Sequence, residues 1–351
     1  MYIILAILIF GVLIATHEFG HFAAAKLSDV KVNEFSVGMG PAVFKKQKGE
    51  TLYSIRLLPV GGFCAMEGED EDEESADPRS FHKADRLHQF AILVSGAAMN
   101  FVTGLLLISL LYAGSAGFIR PTFLNYIEGY GLEDCGLLPG DIFVELDGHR
   151  IYTYGDLSVY LGRADGTIDY VVERNGEKIR VDDVHMPLQE RVDEEGNTTM
   201  LRGFYVGQEI VPATFFTRIQ YTWYTAVNFV RTVWMSLGDL IGGVYGLRDL
   251  SGPVGIVDTM SQIGEQSESA GDALSDLTYL AAFIAINLAV MNLMPLPALD
   301  GGRIFFLLLN AVLPRKIPAK YEGYVHMAGM ALLMALMVVV TLSDVGKLVG
   351  A

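Results

Sequence analysis

The chain has 351 residues, of which 51% are hydrophobic and 19% are charged, and its formal net charge at pH 7 is −16. This composition excludes an intrinsically disordered chain, which would be poor in apolar residues. The acidic balance argues against nucleic-acid binding. The two cysteines, Cys64 and Cys135, are too few for a disulfide framework. Because the apolar residues fall into long runs, membrane topology is the first question.

Four stretches are long and apolar enough to cross about 30 Å of hydrocarbon. We therefore predict a polytopic α-helical membrane protein with four transmembrane helices, at residues 1–26, 88–115, 276–300 and 324–343. No Lys or Arg precedes the first apolar run, so an uncut anchor is favoured over a cleaved signal peptide. Segment 301–323 begins with a short apolar run that we expect to extend the third helix.

The distribution of basic residues predicts the orientation, because Lys and Arg near membrane ends favour the cytoplasm. Residues 26–88 contain nine Lys or Arg, and 301–323 contain four. Residues 120–276 contain 11 basic and 25 acidic residues. We therefore expect 27–87 and 301–323 inside, and 121–275 and the N-terminus outside. Cys64 and Cys135 would then lie on opposite sides of the membrane and could not pair.

The first predicted span contains the sequence HEFGH, formed by His17, Glu18, Phe19, Gly20 and His21. Histidines at i and i+4 share one face of a helix and can bind one zinc ion. The intervening glutamate can accept a proton from a water molecule that the metal activates. Two histidines packed in a helix bundle are the alternative, but polar residues inside a span need compensation, which favours a metal site.

A catalytic zinc needs a third protein ligand. Asp300 is the other acidic residue predicted within a span, and it follows Pro295 and Pro297. Prolines break a helix at membrane depth, which is tolerated where protein or a watery cavity takes up the freed carbonyls. We expect Asp300 to complete the site near the cytoplasmic side. The alternative is that Asp300 only marks the membrane boundary before Gly301 and Gly302.

Together HEFGH and NLMPLPALDGG resemble the paired motifs of the site-2 protease family of intramembrane zinc metalloproteases, in its bacterial regulator-of-sigma-E protease branch. The segments EFSVGMGP, GETLYSIRLLPVGGF, GAAMN and LSGPVGI extend the resemblance over nearly the whole chain. It implies a bacterial inner-membrane protein in which His17, His21 and Asp300 bind one zinc ion and Glu18 is the general base. It also implies that Asn292 contacts the substrate backbone or stabilises the oxyanion.

Two candidate strands, at 35–44 and 53–62, predict a cytoplasmic-side β-hairpin associated with the membrane. An open strand edge could pair with the backbone of an unwound substrate helix, as the resemblance also implies. The alternative is an ordinary surface hairpin. The expected substrate-binding residues are Ser54, Ile55, Arg56, Leu57, Gly61 and Gly62 of the hairpin, with Asn292 and Asn100 from the spans.

On the outer side, the sequence GLLPGDIFVELDG resembles a PDZ domain, and Asn175-Gly176 predicts a hairpin turn. We expect one extracytoplasmic PDZ-like α/β domain at 121–190. It could be a folded spacer, bind a peptide terminus or, as we favour, exclude bulky substrate ectodomains. Residues 191–275 would form an extracytoplasmic or interfacial segment with a surface helix around 223–243.

The acidic run at 67–77 predicts a disordered cytoplasmic loop, with a gate for substrate tails as the alternative. After it, Phe81 and Leu87 are candidate membrane contacts at the start of the second span.

The sequence thus predicts a zinc endopeptidase that cleaves single-span membrane proteins after an upstream site-1 protease has trimmed their ectodomains. By the resemblance, anti-sigma factors and signal-peptide remnants are the expected substrates. The lipid bilayer is the other expected partner, nucleic acid is not one, and no oligomer is required. The competing hypotheses are a transporter or metal channel and an inactive pseudoprotease that binds membrane helices without cutting them.

Overall fold

A computed structural model describes residues 2–69, 75–132, 135–192, 198–207, 209–244, 246, 250–314 and 317–349. The helices within these residues are α1 Tyr2–Leu27, α2 Arg86–Ala113, α3 Tyr154–Arg163, α4 Phe215–Gly242, α5 Pro253–Gln266, α6 Ala270–Asn292, α7 Asp300–Val312 and α8 Ala319–Val349. The strands are β1 Val32–Lys48, β2 Thr51–Met66, β3 Gly117–Ile119, β4 Phe123–Tyr126, β5 Ile142–Leu146, β6 His149–Arg150, β7 Thr167–Arg174, β8 Glu177–His185, β9 Gln189–Val192, β10 Thr198–Leu201, β11 Phe204–Val206 and β12 Ile210–Pro212.

Four of the helices are long and apolar enough to span a membrane, namely α1, α2, α6 and α8. They follow one another along the chain in the predicted order, and each corresponds to one predicted span. Most apolar side chains of α8 are exposed in the isolated chain. Such a surface is expected where lipid is the solvent for a helix.

The third apolar stretch is not a single helix. Helix α6 ends at Asn292 and α7 begins at Asp300, which corrects the prediction of one helix over 276–300 continued by 301–323. Pro295 and Pro297 lie in the break, where their missing N–H groups and rings end the hydrogen-bond ladder. The chain turns back so tightly that a β-carbon at Gly301 would lie 2.1 Å from the Met294 carbonyl oxygen.

The predicted β-hairpin is present, and both of its strands are longer than predicted. Residues 34–37 of β1 pair with 52–55 of β2 on one side and with 62–65 on the other. Residues 42–48 of β1 pair with 51–56. The hairpin therefore forms four strand segments, and 62–66 is an edge segment among the described residues.

Residues Tyr112–Asn228 form one compact unit, here called the β-rich unit; Met1–Leu111 and Phe229–Ala351 form the other, here called the membrane unit. In the β-rich unit, strands in the order β6-β5-β7-β8 form a sheet, and β12 and β11 pair with β3 and β4. This unit extends beyond the predicted domain end at 190, because β11 and β12, the last of which ends at Pro212, pair with strands that lie before residue 130. The predicted hairpin turn is confirmed, with positive φ at Asn175 and Gly176.

Helix α3 of the β-rich unit begins with a capping box, in which the side chains of Thr153 and Asp156 each accept a hydrogen bond from the other residue's backbone N–H group. Helix α4 keeps large apolar side chains exposed: Trp223 and Trp234 are each about half exposed. A surface helix was predicted here, and the helix begins earlier than predicted, at Phe215.

Two buried apolar clusters hold α1 within the membrane unit. One joins the end of α1 to the hairpin, α2 and α7: Ala25, Val30, Val32, Cys64, Met66, Phe81, Ile92, Leu93 and Ile304. The other joins α1 to α5 and α6: Ala6, Leu13, Met260, Leu277, Ile284 and Ala285. The expectation that Phe81 contacts the membrane is wrong, because its ring is buried in the first cluster, whereas Leu87 is 75% exposed.

Candidate metal centre

Side-chain donor atoms of His17, His21 and Asp300 converge at one point between α1 and the start of α7. The Nε2 atoms of the two histidines are 3.2 Å apart. Each of them lies 3.3 Å from Oδ2 of Asp300. Among the described residues, these three form the one group of three or more His, Cys, Asp or Glu residues with donor atoms arranged to hold a metal ion.

This geometry fits zinc. Ligands about 2.0–2.1 Å from a tetrahedral zinc ion are separated from one another by about 3.3 Å, as the three donor atoms are here. Oδ2 of Asp300 is buried and accepts no hydrogen bond from the described residues. A buried carboxylate oxygen without a donor is costly, and a cation between these atoms would remove that cost. Two imidazoles and a carboxylate also match the donor set of catalytic zinc sites.

The second nitrogen of each imidazole is also held. Nδ1 of His21 lies 2.8 Å from the carbonyl oxygen of Ile92, so it carries the proton and leaves the Nε2 lone pair facing Asp300. Nδ1 of His17 faces the side-chain amides of Asn100, at 3.4 Å, and Asn292, at 3.5 Å. When Nε2 of His17 binds a metal, Nδ1 is a donor, so one of these amides must present its oxygen to it.

Glycines allow the helices around the site to approach closely. A β-carbon at Gly20 of α1 would lie 2.3 Å from the Ser95 carbonyl oxygen of α2. One at Gly96 of α2 would lie 2.2 Å from Nε2 of His21 and 2.7 Å from Cε1 of His17. A side chain at position 96 would therefore occupy the space where the histidine nitrogens converge.

A cavity of about 840 Å³ opens beside the three donor atoms. Glu18 lines it together with the two histidines and Asp300. The ideal β-carbon position of Gly62 lies 3.3 Å from Cγ of Glu18, which brings the β2 edge next to this carboxylate. The remaining lining residues come from β2 and the residues just after it, α2, the loop before α7, α7 and α8: Phe63, Cys64, Ala65, Met66, Glu69, Leu93, Ala298, Leu299, Arg303, His326, Met327, Met330 and Ala331.

The predicted substrate-binding residues fall into two groups. Asn100 and Asn292 contact His17 as described above, and Gly61 and Gly62 lie at the bend that leads β2 to the cavity. The other four, Ser54, Ile55, Arg56 and Leu57, do not line the cavity.

Ser54 and Arg56 are engaged within the sheet. Ser54 is buried, and its hydroxyl donates to Glu34. The guanidinium of Arg56 donates to Glu34 and Ser36. The cavity is instead lined by 63–66, which lie beyond the predicted end of the second strand at 62.

Two further features of the cavity were not predicted. Arg303 of α7 forms an ion pair with Glu69, which follows β2. Nδ1 of His326 on α8 accepts a hydrogen bond from the backbone N–H of Ala298 at 3.0 Å. Neither contact could be recognised from a sequence motif, because both join segments that are distant in sequence.

The ends of the acidic run are ordered. Glu67 accepts hydrogen bonds from Ser75 at 2.5 Å, Lys31 at 3.0 Å and Asn33 at 3.0 Å. These bonds, led by the one from Ser75, lower the pKa of Glu67 to about 2. Asp77 also pairs with Lys31. The prediction of a disordered loop covered 67–77. It is wrong for 67–69 and 75–77, where Glu67 pairs with Ser75 and both Glu67 and Asp77 pair with Lys31, and 70–74 lie outside the described residues.

Comparison with known proteins matches residues 5–336 to the model of Peptidase family M50. A Clostridium perfringens protein provisionally named a zinc metalloprotease is 35% identical over 347 residues, covering 98% of both chains. The "Regulator of sigma-W protease RasP" of Bacillus subtilis is 28% identical over 428 aligned positions, covering 99% of this chain and 98% of the relative. "Zinc metalloprotease RasP" of Oceanobacillus iheyensis is 29% identical over 426 positions, covering 97% and 98%. The chain therefore belongs to peptidase family M50.

Proposed function

We propose that this protein is an intramembrane zinc endopeptidase of the site-2 protease type, with its active centre at His17, His21, Asp300 and Glu18. Membership of family M50 and the zinc metalloproteases among its relatives identify it as a zinc metalloprotease. Its four apolar helices fit a polytopic membrane protein. The observation that carries the proposal for the site is the convergence of three donor atoms within 3.3 Å of one another beside a cavity lined by Glu18.

In this proposal, Nε2 of His17, Nε2 of His21 and a carboxylate oxygen of Asp300 hold one zinc ion. When bound, zinc supplies Lewis-acid polarisation of the scissile carbonyl and activation of a water molecule. Glu18 accepts the proton of the attacking water and passes it to the leaving amine. His21 is oriented by its hydrogen bond to Ile92, and an orienting partner of this kind raises the basicity of the coordinating nitrogen.

The substrate backbone would bind in an extended form along the 62–66 edge of β2. This edge lines the cavity. Residues 62–65 pair with β1 on one side, and no described strand pairs with their other side, where backbone N–H and C=O groups can pair with a substrate strand. Met66 is instead hydrogen-bonded to Glu69 through both its N–H and its C=O group. Gly62 next to Glu18 supports the placement of the scissile bond there. Asn292 and Asn100, which both face His17, would then contact the backbone or the developing oxyanion next to the metal.

The proposed topology places the N-terminus and residues 121–275 outside the bacterial inner membrane, and 27–87 inside. It follows from the distribution of basic residues. The active centre, late in α1 and at the start of α7, then lies near the cytoplasmic side. The β-rich unit has the sheet, the α3 helix and the Asn175-Gly176 hairpin expected of a PDZ-like domain. Its proposed role is to exclude substrates with bulky ectodomains.

Single-span membrane proteins trimmed by an upstream site-1 protease are the proposed substrates. The Bacillus subtilis relative is named as a regulator of sigma-W, which supports membrane-bound anti-sigma factors as one class. Signal-peptide remnants, which are short apolar helices with little outside the membrane, are the second. After trimming, both classes have ectodomains small enough not to be excluded by the β-rich unit.

A comparison of wild type, Glu18→Gln and Glu265→Gln tests the proposal. Each variant is purified, its zinc content is measured, and cleavage of a trimmed single-span substrate is followed in proteoliposomes. Glu18→Gln should retain zinc and lose about 10²-fold or more in rate, whereas Glu265→Gln, an exposed residue of α5, should match wild type. Full activity of Glu18→Gln would refute the general-base assignment. If wild type conducted ions but cleaved no substrate, a transporter would be favoured. If wild type bound the substrate but did not cleave it, a pseudoprotease would be favoured.

A further inference from the structure

The loop that leads to Asp300 has an unusual backbone conformation. Ala298 has a φ of +75°, in the left-handed region that residues with a β-carbon rarely adopt. Such a conformation is unfavourable for a residue with a β-carbon and persists only where its surroundings enforce it. Since Asp300 follows two residues later, whatever enforces the conformation at Ala298 also sets the position of the proposed zinc ligand.

The backbone N–H of Ala298 is hydrogen-bonded to a side chain of α8. Nδ1 of His326 accepts the backbone N–H of Ala298 at 3.0 Å. A neutral imidazole that accepts at Nδ1 carries its proton on Nε2, and the Nε2 atom of His326 is buried without a hydrogen-bond partner among the described residues. The hydrogen bond to Ala298 is therefore the one polar contact of this ring that the described residues provide.

The packing around the hydrogen bond is close. A β-carbon at Gly329, one turn after His326 on α8, would lie 2.3 Å from Cβ of Pro297. A β-carbon at Gly302 would lie 3.1 Å from Cε1 of His326. The loop is thus held against α8 on both sides of Ala298, and a small shift of the imidazole would be transmitted to the start of α7.

We propose that His326 is a positioning residue of the metal centre: it holds Ala298 in its left-handed conformation so that Asp300 reaches the two histidines. This inference rests on the proposed zinc ligands. Without the acceptor, the Ala298 N–H loses its partner and φ relaxes to negative values. The turn into α7 then changes, and Oδ2 of Asp300 leaves its position 3.3 Å from both histidine nitrogens.

Two substitutions of His326 separate this role from others. His326→Asn keeps an acceptor oxygen at the position of Nδ1 and removes Nε2. His326→Phe keeps a ring of similar size and removes both nitrogens. Zinc affinity, measured by chelator competition, should fall about tenfold or more in His326→Phe, within the range seen when support for a metal ligand is lost. His326→Asn should remain close to wild type.

A spectroscopic readout identifies the lost ligand. With Co²⁺ in place of zinc, wild type and His326→Asn should give the same visible absorption bands, whereas the bands of His326→Phe should shift towards those of Asp300→Asn. If Asp300→Asn itself kept full zinc affinity, the proposed ligand set would fail. If Asp300→Asn lost zinc and His326→Phe did not, the ligand set would stand and the role of His326 would be refuted.

Suppression provides the second test. Ala298→Gly allows positive φ without a β-carbon penalty, so it should restore at least part of the zinc affinity of His326→Phe, by threefold or more. Absence of rescue would overturn the claim that His326 acts through Ala298. The claim would also be overturned if His326→Gln, whose amide reaches the position of Nε2, kept the wild-type zinc affinity while His326→Asn lost it. Gly346→Ala, on the same helix with open space around it, is the control for altering α8 and should change nothing.

Discussion

Gly96 of α2 and His21 of α1 pack with no room for a side chain between them, since a β-carbon at position 96 would lie 2.2 Å from Nε2 of His21. The same β-carbon would lie 2.7 Å from Cε1 of His17. The two proposed zinc-binding histidines therefore pack directly against Gly96. The His21 imidazole cannot move aside easily, because its Nδ1 is hydrogen-bonded to the carbonyl oxygen of Ile92 on the same helix as Gly96.

Gly96→Ala should consequently lose zinc binding and activity together, because the added methyl group displaces the imidazoles from each other and from Asp300. Metal analysis of the purified variant checks this. Gly104→Ala is the matched control on α2: its β-carbon would meet the Ile286 side chain at 2.5 Å, away from the metal centre. It should lower stability but keep zinc. Wild-type zinc affinity in Gly96→Ala would contradict the proposed geometry.

Asp344 should contribute strongly to the stability of the membrane unit. Its carboxylate is 2% exposed and accepts the backbone N–H groups of Gly252 at 2.9 Å and Gly255 at 2.8 Å, which caps the start of α5 from α8. Asp344→Ala leaves both donors without this acceptor, so we expect a loss of about 1–3 kcal/mol in the free energy of unfolding. Unfolding in detergent measures it. Lys347→Met removes a half-exposed cation 3.8 Å from Asp344 and its hydrogen bond to the Leu250 carbonyl at 3.3 Å, and should have a smaller effect than Asp344→Ala.

The order of the segment around Glu67 should depend on pH. The pKa of Glu67 is lowered in the folded protein from 4.5 to about 2, chiefly by Ser75 and then by Lys31. A lowered folded-state pKa stabilises the fold fully above about 4.5, and the contribution is lost as the pH falls towards about 2. Hydrogen exchange of the Glu67 and Phe81 amides, corrected for intrinsic rates, should therefore accelerate in that window. Glu67→Gln should show fast exchange already at pH 7; protection equal to that of wild type would refute the prediction.

The proposed topology predicts opposite labelling of two engineered cysteines. Lys48→Cys lies in the exposed part of the hairpin and His185→Cys on the exposed surface of the β-rich unit. An impermeant thiol reagent applied to cells with a permeabilised outer envelope should label His185→Cys and leave Lys48→Cys unlabelled until the inner membrane is opened. Background should be low, because Cys64 and Cys135 are both buried. The reverse pattern would invert the proposed orientation.

Local patterns in the sequence predicted those parts of the structure that depend on near neighbours. The i, i+4 spacing of His17 and His21 places both imidazoles on one helix face, and Asn175-Gly176 forms its hairpin turn, since both follow from helical and turn geometry alone. The four apolar helices follow from length and hydropathy. Asp300 could be paired with the histidines only because it was the other acid predicted within a span.

The features that the sequence did not predict depend on contacts between distant segments. The strand through Gly61 and Gly62 continues to Met66 because 62–65 pair with β1, which overrides the local tendency of two glycines to end a strand. The β-rich unit extends past residue 190 because β11 and β12 pair with β4 and β3. His326 had no recognisable motif around it, and its contact with Ala298 exists only once α8 packs on the loop before α7.

The distribution of the proposed zinc ligands along the chain has a consequence for biosynthesis. His17 and His21 lie in α1, whereas Asp300 begins α7 and His326 lies in α8. A nascent or truncated chain that stops before α7 would insert its HEFGH helix into the membrane without a third ligand. With the proposed ligand set, the metal centre cannot be completed until α7 has been synthesised, so a partly synthesised chain that lacks α7 would not cleave neighbouring membrane proteins.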